Sequence, residues 1–279
     1  MCRLFGLTAG TVRVPATFWL LDAPDSLEAQ SRRNPDGCGI GFFAPDGAPV
    51  LDKQPEPAFT DEEFMHEAKR AESTTFVAHV RYATAGGRTV HNTHPFTMHG
   101  RVMAHNGGFG QLPRLERQLG SYLSLVGGDT DSERFFALIT QQADAQGGDL
   151  GAGLTAAARW IAARLPLSSL NTVIATPGEL WALRYPDQHA LHILERPGGT
   201  SAGLHVRSAT SSIHAPGLDA AGSVVIASEE LDGESGWRML APGELVHVRP
   251  DLSIESSVAI TDPPARLVPL PPDNPNIDT

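Results

Sequence analysis

A chain of 279 residues, 41% hydrophobic and 19% charged, can bury a sizeable core in one large domain or two modest ones. Its formal net charge of −11, with no run of Lys or Arg, argues against nucleic acid and anionic membrane surfaces as partners. Two cysteines are too few for a secreted disulfide framework, and no signal-peptide pattern or apolar run of roughly 20 residues is present, so a soluble, cytoplasmic protein is expected.

In chain order, Arg3–Ala9 reads as a short apolar strand that would hold the terminus still. Ala16–Asp22 and Asp25–Arg32 read as helical pieces broken at Pro24. Asn34-Pro35-Asp36-Gly37 is a turn, and the glycine-alternating run Cys38–Phe43 is a strand with close backbone approaches. The spacing of Gly37, Gly39 and Gly41 is not a dinucleotide fingerprint. Thr60 and Glu63 form a capping box opening a helix to about Glu72. Thr74–Ala83 is a strand, and Thr84–Pro95 a loop. Phe96–His105 is hairpin-like, turning at His99-Gly100. Helices are expected at Leu112–Leu119, after a cap at Asp129 or Thr130, and at Leu154–Leu165, the last preceded by a glycine-rich break over Gln146–Gly153. From Ser169 the texture becomes strands: Asn171–Thr176, Glu179–Tyr185, His189–Leu194, His205–Ala209, Ser223–Ser228 and Glu244–Val248. Asp262–Thr279, with six prolines in eighteen residues, reads as an extended strap or a disordered tail. Strands, then helices, then strands again indicate α+β layering rather than a parallel βαβ array.

The chemistry begins at Cys2. If Met1 is removed, one residue carries a thiol and a free α-amine, with ordinary pKa values of roughly 8.5 and 7.7–8.0, so the amine can take the thiol proton cheaply. Four further motifs follow: His79–Thr84, Asn92–Phe96, Ala104–Gly108 and Asp129–Glu133. They lie at strand ends, loops or helix starts and supply a guanidinium, a carboxylate and an Asn-Gly pair, the groups that bind a free amino acid and stabilise an oxyanion. There is no Gly-x-Ser-x-Gly elbow and no phosphate-binding Gly-Lys-Ser/Thr.

These five motifs, in this order, resemble the class II glutamine amidotransferases, N-terminal-nucleophile hydrolases that cleave the side-chain amide of glutamine. The resemblance covers roughly residues 2–133, with a C-terminal completion to about 260. It implies a four-layer αββα sandwich over residues 2–261, a Cys2 thioester, Cys2 as nucleophile and its amine as base. By the same resemblance Arg81 meets the substrate α-carboxylate, Asp131 the α-ammonium group, and Asn106 with the Gly107 N–H the oxyanion. His94 matches a histidine lining the glutamine loop, and Thr84 closes the Arg81 motif. No cofactor and no metal are implied. The Asn34–Gly37 turn departs from the Arg-Gly found there in many members, so no contact is assigned to it.

Each residue also has a plainer reading. Arg81 can be a surface charge, Asp131 a helix-capping acid, and Asn106-Gly107 a type I′ turn. His79, His91, His94, His99 and His105 match no standard metal spacing. A Cys2–Cys38 disulfide would block the nucleophile. The resemblance leaves the ammonia passed to a separate partner synthase, a free-standing γ-glutamyl amidohydrolase like that of ergothioneine synthesis, or a non-catalytic binding subunit.

Overall fold

The computed structural model describes residues 2–83, 86–199, 205–207, 212–214, 221–233 and 235–270. Seven strands form one sheet, in the spatial order β15 (Arg238–Met239), β11 (His192–Arg196), β14 (Ser223–Ala227), β1 (Arg3–Thr8), β6 (Thr75–Val80), β3 (Cys38–Phe43) and β4 (Pro49–Gln54). Six form a second: β17 (Ile254–Val258), β16 (Glu244–Val248), β10 (Glu179–Leu183), β9 (Leu167–Thr176), β8 (Arg101–Phe109) and β7 (Phe96–Met98). Two-stranded ribbons pair β2 (Val14–Pro15) with β5 (Glu72–Ser73), and β12 (His205–Arg207) with β13 (Ser212–His214).

Period-two alternation sorts each strand's side chains between layers. In β1, Phe5 and Leu7 pack outward with Trp19, Leu27 of α1 (Leu27–Ser31) and Phe64 of α2 (Glu62–Arg70). Leu4 turns the other way, into a core shared by the sheets with Val77, Val102, Ala104 and Val173. The second sheet's far face meets α3 (Leu112–Leu119), α4 (Asp131–Ala145) and α5 (Leu150–Arg164) through Met103, Leu115, Phe135 and Ile161. The result is a four-layer αββα sandwich of the α+β class. The glycines of β3 serve the middle layer: a Cβ on Gly41 would lie 2.6 Å from Val102, and one on Gly39 2.3 Å from the His94 carbonyl oxygen.

Several local expectations shift. Asp61, rather than Thr60, caps α2, its carboxylate accepting from the Glu63 and Phe64 N–H groups. Thr130 caps α4. α5 starts at Leu150, capped by Asp149, and absorbs Gly151 and Gly153. Gly153 is where α5 crosses α4, since a Cβ there would sit 2.6 Å from the Ala143 nitrogen. The Asn106-Gly107 pair is mid-strand, facing Asn171 and Leu170 of β9, and not a turn. The proline-rich segment starts as a docked strap: Leu167 N–H donates to Arg266 O and Val268 N–H to Leu167 O. No helix among the described residues is long and apolar enough to cross a membrane.

Candidate active site

The alternation that builds the middle layer also builds the site. Leu4 and Val77 face the second sheet, so by the same alternation Cys2, two residues before Leu4, and Arg81, four residues after Val77, face the same way at the strand ends. In β8, Val102 and Ala104 face the first sheet, and Asn106 continues that row. The three meet where the inter-sheet core runs out.

Cys2 is partly buried, and it and Cys38 are both free thiols. The Cys2 Sγ lies 3.2 Å from the Tyr82 N–H nitrogen and 3.3 Å from the Tyr82 carbonyl. Burial pushes the Cys2 thiol up; the Tyr82 N–H and the positive charges of Arg81 and Arg3 pull against it. Arg3 pairs with Glu229, and the Leu4 N–H donates to Ser228 Oγ at 2.9 Å, so the end of β14 braces the start of β1. Asn106 Nδ2 donates to the Cys2 carbonyl at 2.9 Å. At Gly107 no side chain fits, because a Cβ would lie 1.9 Å from the Ser169 carbonyl oxygen.

Arg81 is 3% exposed and donates to the carbonyls of Gly87 (3.2 Å) and Gly86 (3.4 Å). Burial lowers its pKa, while Cys2, Asp36 and Asp131 act on it in the opposite direction. Asp131 opens α4; its Oδ2 accepts from the Phe109 N–H and its Oδ1 from the Ser132 N–H, both at 2.9 Å. Each oxygen keeps lone pairs for a further donor. Arg81 acts electrostatically on both Cys2 and Asp131, so a cation and an anion stand near a thiol and an amide donor, an arrangement able to hold an amino-acid head group beside a nucleophile.

The structure does not bring His94 to this group by hydrogen bonding. Its ring packs with its centroid 4.3 Å from that of His79 and 4.6 Å from that of Phe96, with neither ring nitrogen partnered. Burial drives the His79 imidazole down to about 3 and His94 well below its ordinary range, so both are neutral near pH 7. Thr84 lies outside the described residues. Among the described residues no three His, Cys, Asp or Glu side chains gather as metal ligands.

Three contributors escaped sequence reasoning. Tyr82 acts through backbone atoms. Asp36, in the unassigned Asn-Pro-Asp-Gly turn, accepts from the Ala83 N–H at 2.8 Å and pairs with Arg88. Asn92 joins the loop to the α4 start, donating to Gly87 O (3.2 Å) and accepting from the Asp129 N–H (2.8 Å). An Asx residue inside a turn was the available signal for Asp36.

Known proteins carry related sequences and folds. Over 260 residues the chain is 32% identical to a γ-glutamyl-hercynylcysteine sulfoxide hydrolase of Mycobacterium tuberculosis, covering 89% of this chain and 93% of that protein. A probable glutamine amidotransferase of Saccharomyces cerevisiae is 33% identical over 133 residues, 44% of this chain and 37% of the yeast protein. The B. subtilis glutamine phosphoribosylpyrophosphate amidotransferase superposes with a TM-score of 0.65 at 18% identity, over 94% of this chain and 50% of that one. A class-II domain protein of Silicibacter pomeroyi does so with 0.58 at 19% identity, over 92% and 98%. The chain therefore spans well under two thirds of the yeast and B. subtilis proteins. The family model of the class II glutamine amidotransferases matches residues 1–263, and the chain belongs to that family.

Proposed function

We propose that the protein hydrolyses the side-chain amide of glutamine or a γ-glutamyl amide through a thioester on Cys2. The observation that carries this reading is the 2.9 Å bond from Asn106 Nδ2 to the Cys2 carbonyl, with Arg81 within electrostatic reach of both Cys2 and Asp131.

A buried thiol with a raised pKa needs a base. With Met1 removed, the freed α-amine of Cys2 takes the thiol proton, and sulfur attacks the amide carbon. Asn106 Nδ2 and the Gly107 N–H stabilise the oxyanion, a contribution of about 3–4 kcal/mol per donor in comparable sites. The protonated amine then gives its proton to the leaving nitrogen, the C–N bond breaks, and water cleaves the thioester to glutamate. Arg81 and Asp131 hold the α-carboxylate and α-ammonium ends, and the Tyr82 N–H keeps the sulfur in place. The family resemblance also assigns Thr84 and His94 to substrate binding. The need for a free thiol suits a reducing compartment, the cytoplasm.

Similarity along 260 residues to a γ-glutamyl hydrolase supports release of a free amine as the fate of the leaving group. The second reading passes ammonia to a separate partner synthase, as membership of a glutamine amidotransferase family suggests. Incubating protein of verified N-terminal mass with glutamine and a panel of γ-glutamyl amides tests both. Glutamate release with an equal amount of amine is expected from at least one substrate. Turnover of glutamine alone, rising when a synthase is added, favours transfer. A preparation beginning at Cys2 that releases glutamate from none of them refutes the hydrolysis.

A further inference from the structure

His105 stands one residue before Asn106 in β8, but the strand alternation turns it away from the cleft and toward α4. It is 1% exposed, its ring edge-on to Phe135. Nδ1 lies 2.9 Å from Ser132 Oγ, and Nε2 lies 3.2 Å from the Ser169 carbonyl oxygen. A carbonyl oxygen only accepts, so a neutral imidazole here carries its proton on Nε2. Burial keeps the ring toward its neutral form, against the pull of the Asp131 carboxylate. Nδ1 is then a bare lone pair, and the Ser132 hydroxyl is the group that donates to it.

The distances agree with that direction. Ser132 Oγ is 2.9 Å from the imidazole and 3.4 Å from Asp131 Oδ1, beyond the roughly 2.5–3.0 Å of a sound O–H···O bond. Asp131 keeps one backbone N–H on each oxygen, from Ser132 and Phe109. Without the imidazole, the carboxylate is the acceptor nearest to that hydroxyl. A hydroxyl turned onto Oδ1 would occupy a lone pair that a ligand cation needs.

We propose that His105 is a positioning residue: as its Nε2–H tautomer it holds the Ser132 hydroxyl off Asp131, leaving that carboxylate open to a substrate ammonium group. The proposal rests on the reading of Asp131 given above. It makes β8 serve both ends of the substrate, through Asn106 at the reacting amide and through His105 and Ser132 at the head group.

The test is steady-state kinetics on one γ-glutamyl amide, with variants first checked by thermal melting. His105→Leu should raise KM about tenfold with kcat changed much less, since a bond to a charged group is involved. Ser132→Ala alone should stay within about twofold of wild type, and Ser132→Ala added to His105→Leu should bring KM back to about threefold or less. Loss of a merely structural histidine would not be repaired by deleting a hydroxyl. A double variant with the KM of His105→Leu, or worse, overturns the proposal. Asp131→Asn separates the two readings. If it raises KM while the double variant is not restored, the head-group assignment stands and the His105 role falls. If it leaves KM unchanged, both fall. Should His105→Leu not fold, 15N NMR of the wild-type imidazole decides: a proton on Nε2 is expected, and a proton on Nδ1 overturns the proposal.

Discussion

Cys2 and Cys38 show how position, not residue type, sets thiol chemistry. The Cys2 sulfur lies at the end of the inter-sheet cleft, against a backbone N–H and near Arg81. Cys38 is fully buried, 3.3 Å from Asp61 Oδ2, and burial together with that carboxylate pushes its thiol far above the ordinary range. A thiolate is the reactive form, so an electrophilic glutamine analogue should add once per chain, at Cys2. Peptide mapping that found Cys38 modified would reverse the assignment. Cys2→Ala should remove turnover while leaving the fold intact. The pocket residues divide by what they touch. Arg81 and Asp131 would hold the head group equally in ground and transition states, so Arg81→Ala and Asp131→Ala should act largely through KM. Asn106 would meet charge that develops only during attack, so Asn106→Ala should lower kcat more than it raises KM. If both head-group variants kept KM within about twofold of wild type, that division would be wrong. As candidates these four residues were legible because each carries its own polar functional group inside a short motif. Tyr82 and Asn92 were not, because they work through backbone atoms or by bridging segments far apart in sequence.

Among the elements, the central strands were legible and the edge strands β15 and β17 were not. β1, β3 and β6 alternate apolar residues on two buried faces, and that pattern stands in the sequence. β17 reads Ile-Glu-Ser-Ser-Val, mostly exposed, and pairs on one side only, so it left no periodic signal. α5 was read four residues short because Gly151 and Gly153 look like a break; tertiary contact with α4 overrides their weak helix preference. β6 also carries a titration cost invisible in sequence. His79 lies fully buried between Leu4 and Gly39 on the flanking strands, both ring nitrogens unpartnered. Burial first, then Arg81 and His105, bring its pKa to about 3. The unfolded chain protonates this residue near pH 6.5. Between about 6.5 and 3 the unfolded state therefore binds a proton the folded state does not, and stability falls as pH drops through that window. Melting temperature should decline from pH 7 to pH 4.5, and His79→Leu should make that decline shallower. An unchanged slope in the variant would show that His79 is not held neutral.

At the scale of the whole molecule, stacking two antiparallel sheets puts the ends of β1, β6 and β8 together, though they are remote in sequence. That convergence came from the motif resemblance; composition and periodicity gave only α+β layering. The C-terminal strap was the least legible part, since proline-rich sequence has no period to read. In the structure, Tyr185 Oη donates to Asp262 O at 2.9 Å, Ala265 N–H to Ala162 O, and residues 266–268 run parallel to Leu167. Gln188 then links strap to site: its Nε2 donates to Val268 O (3.1 Å) and Ser168 O (2.7 Å), and its Oε1 accepts from the Leu270 N–H. Ser168 Oγ in turn donates to Gly108 O at 3.1 Å, and a Cβ on Gly108 would lie 3.6 Å from Asp131 Oδ2. Residues 261–270 are largely exposed and bury little apolar surface, so a chain ending at Thr261 should melt only a few degrees lower. Its effect on the site should be larger, because Gln188, Ser168 and Gly108 lose their outer support one after another. KM for a γ-glutamyl amide should rise severalfold, with kcat less affected. A chain ending at Leu270 keeps these bonds and should match the full-length protein. Gln188→Ala should reproduce much of the KM rise without shortening the chain. Wild-type KM in both the Thr261-terminated protein and Gln188→Ala would show that the strap only covers the surface of β9 and does not support the pocket.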